Sequence, residues 1–269
     1  AGITDLPTTQ ADAWTWDEFA EAAATLKASL PSDTYPFVYN WQLGGTPRWL
    51  SWLFQADGAL LGEDGTSPAI DSAAGTEALD FTRSFFENGW VPPTSSVKGA
   101  TYADAFFTEE SAAMAFAGSF VVPDIDNLAD FEWTALPMPV NERGATDLGG
   151  NALVATNSTD QPELAAQFLK FMVEADSMTA FCAATNELPT RVDIDPDAID
   201  FAVRPDVMPV FVEQAATIEP SDVAQLTSPY LAPIAVSLQD QLEAAFVNGQ
   251  STADTLANIT TAIRQATGS

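Results

Sequence analysis

Hydrophobic and polar positions along the chain follow helical spacing in some stretches and strand-like runs in others. Helices are predicted after the capping box Thr15–Glu18, after Ser72 and after Pro162, because each is followed by apolar residues three and four positions apart. Strands are predicted at the short apolar runs PFVYN (36–40), AAMAFAG (112–118), TALPMP (134–139) and NALVAT (151–156). Helices alternating with short strands predict an α/β layered fold.

The charge balance is strongly acidic, and it narrows the classes of partner. Nine basic residues face 38 acidic ones, which gives a net charge of −29. Nucleic acid and anionic membrane surfaces are excluded as partners, since binding phosphates requires a basic face. The acidic residues are spread along the chain, which indicates a solvated surface and not a cation site.

Histidine is absent, and Cys182 is the only cysteine. This composition excludes Ser–His and Cys–His catalytic arrangements, histidine metal sites and any intrachain disulfide. Cys182 lies in the apolar run MTAFCAAT, which favours a small buried hydrophobic role. No cofactor or metal is predicted. The acidic stretch 193–197 (DIDPD) is a weak candidate for Ca²⁺, since the chain has no D-x-D-x-D-G calcium loop.

Several segments, in order, resemble the family 1 extracellular solute-binding proteins, the maltose- and oligosaccharide-binding group. The opening of the chain resembles that family in AGITDLP and AWTWDEFAEAAATLK, and the next stretch in QADGALLGEDGTSPAIDSAAGTEALDFTRSFFENG. Further on, the matching segments are DAFFTEESAAMAFAGSF, TALPMPVN, GGNALVATNSTDQPELAAQFLKFMVE and the closing stretch 246–266. Each is weak alone, but their order and spacing over the whole chain make the resemblance specific.

The resemblance implies a fold and a division of the chain. The expected fold is α/β and periplasmic-binding-protein-like (type II), with two lobes joined by hinge crossings and mostly the C-terminal lobe present. Residues 1–139 and 189–269 would then form that lobe, and 140–188 would belong to the N-terminal lobe. Hinges are expected near 138–141 and 188–192. Family members begin with a signal segment and the first part of the N-terminal lobe, and the resemblance implies that the given sequence starts after both.

A sugar site requires flat aromatic faces and planar polar groups, and the loop 39–49 offers both. Glycines there let the backbone approach a ligand, whereas Trp52 and Phe54 on the following helix are interpreted as core. The candidate ligand-binding residues in this loop are Asn40, Trp41, Gln42, Gly45, Arg48 and Trp49.

The resemblance adds candidates elsewhere in the chain. Phe120 stands where the family has a stacking aromatic, and a core role is the alternative. For Arg191 the alternative is a surface salt bridge. The positions that the family implies as ligand-binding are Phe120, Asp147, Gly150, Asn151, Arg191 and Tyr230.

The implied function is capture of a sugar or oligosaccharide by lobe closure and delivery to an ABC importer, without catalysis. Its partners would be the carbohydrate and the permease subunits. The protein would lie outside the cell, periplasmic or as a surface lipoprotein, with membrane contact only through a lipid anchor or the permease.

Three alternatives stay open. A glycoside hydrolase would need two carboxylates about 5 to 9 Å apart, for which Glu109-Glu110 and Glu63-Asp64 are candidates. A carbohydrate-binding surface protein is the second. A phosphorylated polyol is the alternative ligand, because Arg48 and Arg191 could bind a phosphate.

Overall fold

The computed structural model describes residues 1–41, 45–147 and 149–269. They form two compact units. Unit 1 comprises Ala1–Ala117, Ala135–Leu148 and Glu213–Ser269, and unit 2 comprises Gly118–Thr134 and Gly149–Val212. These boundaries differ from the lobe segments 1–139, 140–188 and 189–269, whose assignment stays a prediction.

Helices supply most of the regular structure in the described ranges. In chain order they are α1 (Trp16–Ser29), α2 (Leu50–Gln55), α3 (Ala73–Glu87), α4 (Ala103–Thr108), α5 (Val122–Leu128), α6 (Pro162–Met172), α7 (Ala175–Thr185), α8 (Met208–Ala215), α9 (Pro220–Leu226), α10 (Leu231–Phe246) and α11 (Thr252–Thr267). Unit 1 contains α1 to α4 and α9 to α11, and unit 2 contains α5 to α7. Helix α8 begins in unit 2 and ends in unit 1.

Two of the predicted strands form and pair with each other. Strand β1 (Tyr35–Tyr39) lies parallel to β2 (Ala112–Phe116), with Tyr35 opposite Ala112 and Tyr39 opposite Phe116. The strands predicted at 134–139 and 151–156 are absent from the described part of the chain. Two prolines remove ladder donors from 134–139, and 151–156 has no neighbouring strand to pair with.

Helix α1 begins as its sequence predicts. The hydroxyl oxygen of Thr15 accepts a hydrogen bond from the Glu18 backbone N–H at 3.2 Å, and the Glu18 carboxylate accepts one from the Thr15 N–H at 2.8 Å. The reciprocal bonds satisfy amides that the helix itself leaves unpaired. The predicted capping box is therefore confirmed.

Unit 1 is organised around a large aromatic core. Trp52, Phe37 and Phe85 are buried, and the apolar faces of α1, α2, α3, α10 and α11 supply many of the surrounding side chains. Trp16 of α1 stacks on Phe81 of α3, with ring centroids 4.2 Å apart and planes within 3°. The core interpretation of Trp52 and Phe54 is confirmed. Because tightly packed aromatic clusters are rigid, this core can hold the loops that pack against it in fixed positions.

Unit 2 has a smaller core, in which Cys182 packs with Ile199, Phe201 and Met208. Burial raises the pKa of the Cys182 thiol, so the residue is a buried hydrophobe as predicted. Elsewhere in unit 2, the Arg204 guanidinium lies 4.2 Å from the centre of the Trp133 ring.

Helix α6 of unit 2 carries an apolar face that nothing in its own unit covers. None of its residues is buried, and Leu164, Phe168 and Phe171 are each more than half exposed. The extended segment before it is also open, with Val154 73% exposed. Among the described residues, no helix combines the length and apolar character needed to cross a membrane.

Candidate functional site

The candidate site in unit 1 is built around an ion pair between two residues that lie far apart in the sequence. Arg48 belongs to a short 3-10 helix, Thr46–Trp49, and its Nε donates to Asp147 Oδ2 at 2.9 Å. Its Nη1 donates to the backbone oxygen of Asn40 at 3.1 Å. The structure therefore brings three predicted ligand-binding residues, Asn40, Arg48 and Asp147, into one cluster.

This cluster is partly open to solvent. The Arg48 and Asp147 side chains are 29% and 34% exposed. Burial raises the pKa of Asp147, and the neighbouring Arg48 cation opposes that rise. A half-buried arginine and carboxylate at this distance present a fixed, charge-compensated set of donors and acceptors.

Beneath the ion pair lies Tyr39, whose pKa is raised by burial and, to a lesser extent, by the charge of Asp147. The phenol therefore stays protonated and keeps its O–H as a donor. Two buried oxygens close to it in sequence, Asn40 Oδ1 and Thr46 Oγ1, have no hydrogen-bond partner within the described part of the chain.

Gln55 positions the segment that carries Asp147. Its Oε1 accepts from the Trp16 indole N–H at 2.7 Å, and its Nε2 donates to the Ala145 backbone oxygen at 2.9 Å. Gln55 is fully buried, so both bonds are shielded from water. The sequence interpretation missed this residue. In the sequence, the one indication of this role is that a polar amide side chain ends the apolar run Trp52-Leu53-Phe54.

A second tie holds the same segment to α9. Arg143 donates through Nη2 and Nη1 to the two carboxylate oxygens of Asp222, at 2.5 and 3.0 Å. Asp222 is buried, which makes a bidentate pair of this kind costly to break. Near the start of the segment, the backbone N–H of Trp16 donates to the Val140 backbone oxygen at 2.9 Å. Residues 138–141 are thus fixed within unit 1, and the hinge expected there is not located at a boundary between units.

Two predicted aromatic ligands lie in the core instead of on a surface. Trp41 is fully buried, with its ring 5.2 Å from that of Phe246. Trp49 is also fully buried, and its indole N–H donates to the Thr82 hydroxyl at 2.9 Å. Helices α3 and α10 cover both rings, so neither can stack on a sugar in this conformation. The sequence interpretation named Trp41 and Trp49 as ligand-binding residues, whereas both rings belong to the core of unit 1 in this conformation.

The remaining predicted residues of unit 1 have separate positions. Gly45 accepts the Arg48 backbone N–H at 2.9 Å and so begins the 3-10 helix. Tyr230 precedes α10 and packs against the aromatic core while staying partly exposed. Gln42 lies outside the described residues. Gly45, Tyr230 and Gln42 therefore stay predicted ligand-binding residues.

In unit 2, Phe120 offers an accessible aromatic face. The side chain is 48% exposed, and its ring lies over Gly118, where an added Cβ would sit 2.5 Å from Cε1. Glycine at 118 is therefore what allows the ring to lie against the backbone. Phe120 remains a predicted ligand residue.

The other candidates of unit 2 are Gly150, Asn151 and Arg191. Gly150 and Asn151 are exposed. The Arg191 guanidinium binds both carboxylate oxygens of Asp193 at 2.8 and 2.6 Å, and it donates to the Val173 oxygen at 2.9 Å. Arg191 thus forms the salt bridge that was its alternative interpretation, and it caps the end of α6.

Residues 188–192 lie inside unit 2, so the second expected hinge is also away from a unit boundary.

No group of three or more acidic or cysteine side chains suited to a metal ion occurs in residues 1–41, 45–147 and 149–269. In the acidic stretch 193–197, Asp193 is held by Arg191, and the Asp195 carboxylate accepts the Asp197 backbone N–H.

The similarities of the chain to known proteins cover most of its length. The sequence profile of the bacterial extracellular solute-binding proteins matches residues 4–209. The maltodextrin-binding protein of Bacillus subtilis is 27% identical over 141 residues, which are 50% of this chain and 34% of that protein.

Solved structures share the fold. An ABC-transporter solute-binding protein from Thermotoga lettingae, bound with α-D-tagatose, superposes with a TM-score of 0.77 at 20% identity, over 95% of this chain and 65% of that one. UgpB from Mycobacterium tuberculosis, in complex with glycerophosphocholine, gives 0.75 at 20% identity, over 94% and 63%. This chain thus spans less than two thirds of the length of these relatives.

The fold is therefore the predicted periplasmic-binding-protein-like (type II) fold. The relatives that share the fold are described as binding proteins and not as enzymes. With its profile match over residues 4–209, the chain belongs to the family of bacterial extracellular solute-binding proteins.

Proposed function

We propose that this chain is the ligand-binding part of a solute-binding protein that captures a neutral sugar or oligosaccharide outside the cell and delivers it to an ABC importer. The observation that carries the proposal is the partly open cluster of Arg48, Asp147 and Asn40 on the aromatic core of unit 1. Planar, fixed hydrogen-bonding groups of this kind suit sugar hydroxyls. The maltodextrin-binding and tagatose-bound relatives support the same ligand class.

Charge favours a neutral ligand over a phosphorylated polyol. Asp147 already neutralises Arg48, and the whole chain carries a net charge of −29. A phosphate placed on Arg48 would meet the Asp147 carboxylate, and like charges in a partly buried site repel. The glycerophosphocholine complex of the M. tuberculosis relative keeps the phosphate-containing ligand as the second candidate.

Ligand capture would use the passage of the chain between its two units. The chain crosses from one unit to the other at 117/118, 134/135, 148/149 and 212/213. We infer that the hinges lie at these crossings and that Phe120, within unit 2, supplies a stacking face. Of residues 140–188, which the resemblance assigns to the N-terminal lobe, 149–188 fall within unit 2 and 140–148 within unit 1. The permease would recognise the closed form.

The glycoside hydrolase alternative is less well supported. Hydrogen bonds from the Ser67 and Thr66 backbone N–H groups lower the pKa of Asp64 to about 2, so its carboxylate holds a turn and is unsuited to donate a proton. We expect no hydrolysis of aryl glycosides. Turnover that one carboxylate substitution abolishes would replace this proposal with an enzymatic one.

The direct test is thermal unfolding against maltose, maltotriose, tagatose, glycerophosphocholine and free amino acids. A ligand that binds only the folded protein stabilises it by about 2.7 kcal/mol at a hundredfold excess over Kd. We expect stabilisation by a neutral sugar and a smaller effect of glycerophosphocholine. A reversed order would establish the phosphate-containing ligand, and no effect of either class would contradict the proposal.

Matched variants locate the binding site. Arg48→Gln and Asp147→Asn should abolish the sugar-induced shift, because each removes one half of the cluster. Arg83→Gln is the control, since Arg83 is 28% exposed and pairs with Glu87 at 2.7 Å on α3. The shift should survive in this control. Equal loss in all three variants would assign the effect to general destabilisation and not to the site.

A further inference from the structure

Two sequences of the form Asn-x-Thr occur in the chain, and the proposed function uses neither. They are Asn157-Ser158-Thr159 and Asn258-Ile259-Thr260. This pattern is the acceptor for N-linked glycans in proteins outside the cell, where the asparagine amide receives the sugar. The two copies lie in very different structural surroundings.

The first copy occupies an exposed turn of unit 2. Asn157 and Ser158 form the turn between the extended segment 149–156 and α6, and the Thr159 N–H donates to the Thr156 oxygen at 3.3 Å. All three residues of the copy are exposed. The Thr159 hydroxyl oxygen accepts only a local bond, from the Gln161 backbone N–H at 3.2 Å. A transferase can therefore reach both the amide and the hydroxyl without unfolding a helix.

The apolar surface on either side of this turn does not change its accessibility. Val154 and Phe168 are the kind of side chains that another surface would cover, whereas the turn itself is polar throughout. Polar connections between elements stay at the protein surface, because buried loops leave backbone groups unpaired.

The second copy is held inside a helix of unit 1. Asn258 lies in the middle of α11, and its Nδ2 donates to Gln241 Oε1 at 2.8 Å. Ile259 and Thr260 are buried, the threonine being 7% exposed. To present this copy to an enzyme, the helix would have to unwind and expose core side chains, which costs free energy of unfolding.

We propose that Asn157 carries an N-linked oligosaccharide and that Asn258 does not. The donor is an oligosaccharide linked to a lipid phosphate or diphosphate, presented by a membrane transferase outside the cell. Asn157 Nδ2 forms a bond to the anomeric carbon, the bond from that carbon to the phosphate oxygen breaks, and the phosphate leaves with the electron pair. The amide proton ends on the released lipid phosphate or on solvent water, and no oxidant or reductant is consumed. This inference depends on the extracellular placement of the family and not on the solute that is bound.

The test is mass spectrometry of tryptic peptides from the protein purified from its native host. Cleavage after Arg143 and Lys170 releases 144–170, which contains both Asn151 and Asn157. We expect the mass of one oligosaccharide on Asn157 and none on Asn151, which is exposed on the same peptide but has no hydroxyl residue two positions on. The peptide ending at Arg264, which contains Asn258, should be unmodified. An unmodified Asn157, or a glycan on Asn258, would overturn the inference.

Two substitutions separate sequence-directed transfer from other adducts. Thr159→Ala, expressed in the same host, should abolish the glycan although Asn157 is retained, whereas Thr159→Ser should keep it. A mass on Asn157 that persists in Thr159→Ala would also overturn the inference. Solute binding is measured separately, by thermal unfolding. An unmodified Asn157 would therefore leave the proposed function untouched, and the absence of a sugar-induced thermal shift would leave the glycan result unchanged.

Discussion

Phe85 in unit 1 and Phe168 in unit 2 stand on helices with similar apolar spacing, yet their environments are opposite. Phe85 of α3 is fully buried, with the rings of Phe37 and Phe81 both 5.0 Å away. Phe168 of α6 is 51% exposed, on a helix without any buried residue. An amphipathic pattern therefore predicts that a helix has an apolar face, but not whether the rest of the chain covers that face.

The largest expected effect comes from removing one ring in each region. Phe85→Ala should lower the free energy of unfolding by about 3–5 kcal/mol, because it leaves a cavity in a packed core. Phe168→Ala should change it by no more than about 0.5 kcal/mol, as an exposed substitution does. Denaturant titration of both variants gives the comparison. Equal losses would show that the α6 face is covered in solution and would remove the contrast.

A smaller loss of folding free energy is expected from changing Gln55, which positions the segment that carries Asp147. Gln55→Leu should destabilise unit 1 by about 1–3 kcal/mol for each group it leaves unpaired, namely the Trp16 indole N–H and the Ala145 carbonyl. It should also weaken the sugar-induced thermal shift, since Ala145 is two residues from Asp147. Gln239→Leu is the control, because Gln239 donates one bond, to the Val97 oxygen at 2.7 Å, on a different segment. A normal ligand shift in Gln55→Leu would contradict the positioning role.

The smallest effect concerns the end of α6. The hydrogen bonds from Arg191 lower the pKa of Asp193 below its ordinary value of 3.8. A carboxylate with a depressed folded-state pKa stabilises the fold above its ordinary pKa, and that contribution is lost as pH falls through the lower value. Amide exchange near Val173 should therefore speed up in acid beyond the change seen in α3, whose N-terminus is capped by the Ser72 hydroxyl. Asp193→Asn should remove this extra pH dependence, and an unchanged profile would contradict the role of the ion pair.

Local features of the fold were predictable from the sequence because they depend on neighbours in the chain. The capping box at Thr15 and Glu18 needs only residues three positions apart, and it formed as expected. The strand predicted at 151–156 did not form, since a strand also needs a partner that local sequence does not reveal.

The candidate site shows the same limit. Arg48 and Asp147 were each named from sequence, but their 2.9 Å contact joins residues 99 positions apart. The loop composition around Trp41 favoured a ligand-binding role, whereas α3 and α10 enclose its ring. Tertiary packing determines which side chains meet and which become buried, and the spacing of residues along the chain does not reveal it.

The close approach of Phe120 to Gly118 has a consequence for affinity. Where the ring keeps this position on the backbone, fewer orientations are open to it than to a freely rotating side chain. Ordering a free side chain on binding costs about 0.5–1.5 kcal/mol, and a ring that is already ordered avoids most of that loss. Gly118 would thus contribute to solute affinity through conformational entropy, without touching the solute itself.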